Sequence, residues 1–207
     1  TIPMKEKEII VRLKEILPQV PEQDLSLIRD ICEFKIYKDK DVILRSGSLK
    51  KQVFLILEGV ARGFLMNVDG DEKTVLLRGK GIFVGDANGV FSERPQRLEI
   101  VAVGQTEILL FSFLEFEKLA MSNRTVLHIY LNSLREAILR LTYRVESMIT
   151  MSSEERYRDL LEKNPAFLEK SYDKYVANFL GITPVSLSRI KKRLNVSELT
   201  YVNSNRG

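Results

Sequence analysis

Four basic side chains crowd the run SRIKKRL at positions 188–194: Arg189, Lys191, Lys192 and Arg193. Cations at that density suit a polyphosphate partner, because each one that meets a phosphate releases a condensed counterion. Arginine can do more, since its planar fork matches O6 and N7 of a guanine edge. Val185 could meet a thymine methyl, and Ser186 a base edge or a phosphate. Thr183 stands at the mouth of the same segment. From Ser171 to Leu194 there are five basic residues and one acidic one.

These groups act together only if one face of a helix presents them. Leu187, Ile190 and Leu194 recur at helical spacing on one side, which leaves Ser186, Arg189, Lys192 and Arg193 on the other. Pro184 suits the first helical position and Thr183 offers an N-cap oxygen. Just upstream, Lys174 to Leu180 carries Val176, Phe179 and Leu180 on one face, and Gly181 ends it. Ala177 is small where a second helix must cross. The spacing predicts a helix-turn-helix whose second helix, Pro184 to Leu194, enters a major groove. Any helical hairpin shares the apolar pattern; the basic outer face favours DNA.

The rest of the chain must carry that device. With 207 residues and 44% hydrophobic residues, there is room for one large or two modest domains. The net charge is +4, and from 151 to 207 ten basic residues face seven acidic ones. The single cysteine, Cys32, excludes an internal disulfide framework and fits a reducing compartment. No apolar run is long enough for a membrane span, and none reads as a signal-peptide core. The sequence starts at Thr1, as after processing or shortening. A cytoplasmic protein is expected.

Lys5 to Leu17 reads as a helix, and a second runs from Glu22 to Ile31. From Glu33 to Ser112 eight short apolar runs alternate with turn residues: 33–37, 42–44, 53–57, 61–66, 74–77, 82–84, 98–103 and 107–111. Such spacing predicts a sandwich or barrel of the jelly-roll type, with Asp69-Gly70 as a hairpin turn. Ser112-x-x-Glu115 reads as a capping box opening a short helix, and Ser152-x-x-Glu155 as another. Between them Arg124 to Thr150 carries Leu127, Leu131, Leu134, Ile138, Leu141, Val145 and Met148 in alternating steps of four and three. A stripe this narrow is a coiled-coil seam and predicts a homodimer, flanked by Arg135, Glu136, Arg140 and Arg144. Asn164-Pro165 breaks the next helix, and after Asn195 only Glu198 to Val202 could form a strand.

The fold class is therefore α+β. Residues 1–121 form a jelly-roll β-barrel with flanking helices, 122–150 the dimerisation helix, and 151–207 the helix-turn-helix domain. This order resembles the Crp/Fnr family of bacterial transcription regulators. The resemblance rests on Gly47, the run Phe54 to Val60, Asp69-Gly70-Asp71-Glu72 and Gly81-Ile82-Phe83 leading into Gly85-Asp86. In the DNA part it rests on Val176-Ala177, Leu180 to Thr183 and Ser186 to Ile190. It implies a homodimer on a two-fold operator in double-stranded DNA, with half-sites about 34 Å apart.

Cyclic-nucleotide-binding members of that family carry Gly-Glu, a gap, then Arg, a hydroxyl residue and a small residue. Here Gly85, Asp86, Arg97, Leu98 and Glu99 occupy the matching positions, with one extra residue in the gap. Leu98 removes a donor, and the Glu99 carboxylate repels a phosphate. An effector of another kind is expected at this site, and cyclic AMP is not. The recognition helix also departs from the family, with Pro184 and Val185 where an Arg or Glu often stands.

Other chemistries lack their residues. One histidine, His128, cannot build a metal site of the cupin type, nor a Ser–His–Asp set. One cysteine cannot hold an iron–sulfur cluster. No Walker sequence is present. No enzyme activity, metal or cofactor is expected. The competing reading is a ligand-binding signalling module whose helical tail does not bind DNA.

Overall fold

The run Phe54-Leu55-Ile56-Leu57 lacks polar alternation, the mark of a strand covered on both faces. All four side chains are fully buried. A computed structural model describes residues 6–164, 167–168 and 171–204, with side chains of the last segment described to Leu194. The chain divides into two units between Thr142 and Tyr143.

In order, the first unit holds α1 (Glu6–Ile16), α2 (Glu22–Asp30), β1 (Cys32–Tyr37), β2 (Val42–Leu44), β3 (Gln52–Met66) and β4 (Glu72–Arg78). It continues with β5 (Phe83–Gly85), α3 (Ala87–Phe91), β6 (Glu99–Ser112), α4 (Phe113–Ser122) and the start of α5 (Arg124–Thr150). The division falls inside α5 and not at its C-terminal end. The second unit holds the rest of α5, then α6 (Ser153–Lys163), α7 (Asp173–Leu180) and α8 (Pro184–Ser204).

The antiparallel sheet runs β1-β6-β3-β4, with β2 also on β6 and β5 also on β3. On one face Phe54 and Ile56 join Val84, Ile100, Ile108 and Leu110 in a core made only of strand residues, as in a sheet rolled on itself. On the other, Leu55, Leu57, Leu109 and Phe111 pack against Leu13, Leu25 and Ile28 from the N-terminal helices and Phe116 and Ile129 from α4 and α5. Each such side chain contributes about 1.5–3 kcal/mol by burial.

Eight strands are expected from the sequence, and six form. The runs 53–57 and 61–66 merge into β3, and 98–103 and 107–111 into β6. The cause is a bulge in place of a turn. Gly59 has φ +91°, and the β3–β6 register shifts between Ile56 and Val60. A Cβ at Gly59 would lie 2.5 Å from the Gln105 carbonyl oxygen, so only glycine fits. Thr106 donates from Oγ1 to the Val60 oxygen (3.0 Å), holding the bulge on the ladder. The β3–β4 hairpin at Asp69-Gly70 forms as expected, with Asn67 Oδ1 accepting from the amides of Asp69 and Asp71.

Three further expectations meet different outcomes. Ser152 makes its capping box: its Oγ accepts from Glu155 N, and Ser152 N donates to Glu155 Oε2 (2.7 Å). Those bonds hold the Glu155 carboxyl below its ordinary range. Ser112 is an N-cap by position, but its side chain makes no cap hydrogen bond. Residues 198–202 lie in helix α8 and not in a strand, because neither glycine nor proline interrupts 194–204. Helix α3 has no counterpart in the sequence reading. Arg62 was likewise unforeseen as a core residue: it is 2% exposed, donates from Nε to Thr74 Oγ1 (2.9 Å) and pairs with Glu72. Lys5 and Pro165 lie outside the described residues. Among the described residues no helix is long and apolar enough to cross a membrane.

Candidate nucleic-acid interface and effector cassette

Helices α7 and α8 are locked by a small dry core. Val176, Ala177 and Leu187 are fully buried, and Leu180, Ile190 and Leu194 nearly so. The turn between them is set by Gly181, at φ +72°. Its amide donates to the Asn178 oxygen (3.1 Å), and Ile182 N to the Ala177 oxygen (3.0 Å), the paired bonds of a Schellman motif. Thr183 then caps α8, its Oγ1 accepting from Ser186 N (3.1 Å) and lying 3.0 Å from Ser186 Oγ.

The apolar side is thereby fixed inward, and the outer face follows. Val185, Arg189 and Lys192 are exposed and Ser186 is half-buried. The remaining cations are engaged. Lys191 Nζ pairs with Asp173 (2.5 Å), at the start of α7, and Arg193 Nη2 with Glu154 (2.9 Å), in α6. In the basic cluster read from the sequence, Arg189, Lys192 and Arg193 are thus exposed, and Lys191 and Arg193 also hold ion pairs within the domain.

In the cassette the expected residues come close together, but the two carboxylates among them already accept hydrogen bonds from within the fold. Asp86 is buried and caps α3: Oδ1 accepts from Gly89 N (2.8 Å) and Oδ2 from Leu98 N (3.0 Å). Glu99 Oε2 accepts from Ser46 N (3.0 Å), and the Arg97 carbonyl from Ser46 Oγ (3.1 Å). The Arg97 side chain is exposed, and Leu98 packs against the strand core. The residue that sequence reasoning missed is Gln96. It is buried, its Nε2 donates to the Lys50 oxygen (2.6 Å), and it fills the space over Gly89, where a Cβ would lie 2.4 Å from its Cγ. Gly85 offers no better opening, since a Cβ there would meet Val53 Cγ1 at 2.8 Å. No spacing rule marks Gln96; its role follows from the tight approach at Gly89.

Beside α3 lies a cavity of about 200 Å³, lined mainly by apolar groups, Leu76, Val90, Phe91, Phe113 and Leu134 among them. Arg78, Asp86, Tyr130, Ser133 and Arg140 supply its polar edge, and Gly85 and Asp86 are the two residues of the expected effector site that line it. Burial, and then the neighbouring Glu117, push the Tyr130 hydroxyl above its ordinary pKa, so it stays a neutral donor. Drug-sized ligands occupy pockets of about 300–1,000 Å³, so this one suits a smaller molecule. Cys32 offers no nucleophile: burial pushes its thiol up to about 12.

The stripe on α5 is apolar and uncovered in the single chain. Leu131, Ile138, Leu141, Val145 and Met148 are 46%, 64%, 61%, 52% and 42% exposed. Leu127 and Leu134 are half-buried.

Residues 34–123 match the family described as the cyclic nucleotide-binding domain. Over a longer stretch the chain is similar to FixK2 from Bradyrhizobium japonicum, with TM-score 0.70 and 17% identity, covering 81% of this chain and 86% of that one. It is also similar to the c-di-GMP responsive global regulator CLP of Xanthomonas campestris, at TM-score 0.66 and 17% identity, covering 86% and 94%. The fold is that of the Crp/Fnr regulators. A CooA mutant from Carboxydothermus hydrogenoformans shares this Crp/Fnr fold at TM-score 0.62 and 15% identity, over 80% of this chain and 77% of that one. No curated protein matches the sequence. At these identities the likeness is one of architecture alone.

Proposed function

We propose that this chain is a homodimeric, sequence-specific DNA-binding transcriptional regulator of the bacterial cytoplasm, not an enzyme. The observation that carries this reading is the outer face of α8. Val185, Ser186, Arg189 and Lys192 stand on a helix whose opposite face is locked into a helix-turn-helix core. Arg189 reads a base edge and Lys192 meets phosphate. Two such helices, one per protomer, read a two-fold operator. The uncovered α5 stripe supports the dimer, because a chain folded alone would leave that apolar seam in water.

Control by cyclic AMP does not fit the cassette, where Asp86, Gln96 and Glu99 already hold one another's loops. The effector site is the apolar cavity beside α3, and its occupant is a small, mostly apolar molecule other than cyclic AMP.

Selection from a pool of random duplexes tests the DNA reading. The expected product is a two-fold motif with half-sites about one helical turn apart. Binding to it should fall steeply with salt. Recovery of no motif, together with salt-independent binding, would return the chain to the class of signalling modules that do not touch DNA.

A further inference from the structure

A helix end leaves four carbonyls without intrahelical donors. In α7 those belong to Ala177, Asn178, Phe179 and Leu180. The Schellman bonds from Ile182 and Gly181 satisfy the first two. The other two are taken by arginines from outside the motif. Arg144, near the C-terminal end of α5, donates from Nη2 to the Phe179 oxygen (2.9 Å), and its guanidinium lies 4.1 Å from the centre of the Phe179 ring. Arg156, in α6, donates from Nε and Nη2 to the Leu180 oxygen (3.2 and 3.1 Å) and from Nη1 to the Met151 oxygen (2.6 Å). Met148, one turn beyond Arg144 on α5, lies against the pivot: a Cβ on Gly181 would be 3.0 Å from its Cε.

We infer that Arg144 and Arg156 are positioning residues for DNA recognition, which fix the start of α8 to the C-terminal end of α5 by clamping the last carbonyls of α7. The inference rests on the DNA-binding reading above. Its physical basis is specific. Two cations at the negative end of the helix dipole are favourable there. Guanidinium groups can donate to carbonyls from several N–H groups in a fixed plane. Both clamped carbonyls lie within four residues of Thr183, where the recognition helix begins. Neither arginine is on the outer face of α8, so neither is offered as a DNA contact. Any shift of the end of α5 is thereby handed to the turn.

The test uses the full chain with Arg144→Met, which keeps an apolar stem over Phe179, and with Arg144→Lys, which keeps one donor but loses the plane. Loss of a charged hydrogen bond at the pivot should lower affinity for the selected operator by about tenfold in the Met variant, and by less in the Lys variant. Non-specific affinity and the salt slope should stay at the wild-type values, because no phosphate contact is removed. Amide exchange at Gly181 to Thr183 should quicken in both variants, a readout that needs no DNA. A salt slope lowered by about one unit would make Arg144 a phosphate ligand and overturn the inference. So would wild-type operator affinity and wild-type exchange in both variants. Wild-type protein that selects no duplex would instead sink the DNA-binding reading, while the exchange result still judges the clamp.

Discussion

The helix-turn-helix and the cassette start from similar materials, a few charged side chains near a helix N-terminus, and finish oppositely. In α8 the apolar residues take the inner face and leave Arg189 and Lys192 exposed. In the cassette Asp86 turns back onto the amide of Gly89 and staples Leu98, while Gln96 fills the remaining space. The α3 amide that an incoming anion would seek is already answered by an internal carboxylate. What separates a binding surface from a structural loop here is whether the polar groups already have partners within the fold, and not which residue types are present.

The largest expected effect tests whether the proposed DNA contact needs a second copy. Ile138 and Leu141 are 64% and 61% exposed, so charges there leave the single chain's core untouched. Ile138→Glu with Leu141→Glu brings like charges together across the seam. Light scattering should then report half the wild-type mass. Operator affinity should fall by about 10²–10⁴, the advantage of joining two weak half-site contacts. A dimer that survives both changes would move the interface off α5.

Those exposed residues also show what the sequence makes legible. Helical periodicity placed α5, α7 and α8 and the inner faces of the last two, because a 3.6-residue repeat needs no knowledge of distant contacts. The roll was legible as short strands, but the bulge at Gly59 was not: Glu58-Gly59 reads as a turn by composition, and only the facing Gln105 and Thr106 show that the chain stays paired. Tertiary pairing also decided the cations. Arg189, Lys191, Lys192 and Arg193 look equivalent in a row, and Asp173 and Glu154, 18 and 39 positions away from their partners, divide them. Gln96 and Arg62 were invisible for the same reason, each being defined by what it touches across the sheet or the cassette.

A middle-sized effect sharpens that division. Arg189→Ala should cost about 1–3 kcal/mol and relax preference at one base pair per half-site. Lys192→Ala should weaken every sequence alike and lower the salt slope by about one unit per site. Lys191→Ala should leave the slope nearly unchanged, since its ammonium is held by Asp173, and its cost should appear as at most about 1 kcal/mol of stability, typical of an exposed pair. Repeating the random-duplex selection and the salt titration with each variant checks all three. An unchanged motif in Arg189→Ala, or a full unit of slope lost in Lys191→Ala, would mean that α8 docks on a different face.

The smallest expected effect is none at all, and it bears on the cassette. Cyclic AMP should leave the melting temperature of the wild type where it was. A ligand at about a hundred times its Kd stabilises the form it binds by about 2.7 kcal/mol, a shift of several degrees for a domain of this size. Calorimetry that finds such a shift, with one nucleotide per chain, would falsify the idea that the Asp86 carboxylate and the packed Gln96 side chain close the cassette. The cause can be divided further. Leu98→Ser with Glu99→Ala supplies a hydroxyl and removes the repelling charge, yet it leaves Asp86 on the Gly89 amide and Gln96 packed over Gly89. If these internal partners are what close the cassette, that variant should still show no shift. Only adding Gln96→Ala, which empties the space over Gly89, should let a weak one appear. Micromolar binding in the double variant alone would place the whole fault in two side chains, and the cassette would then differ from α8 in residue type after all.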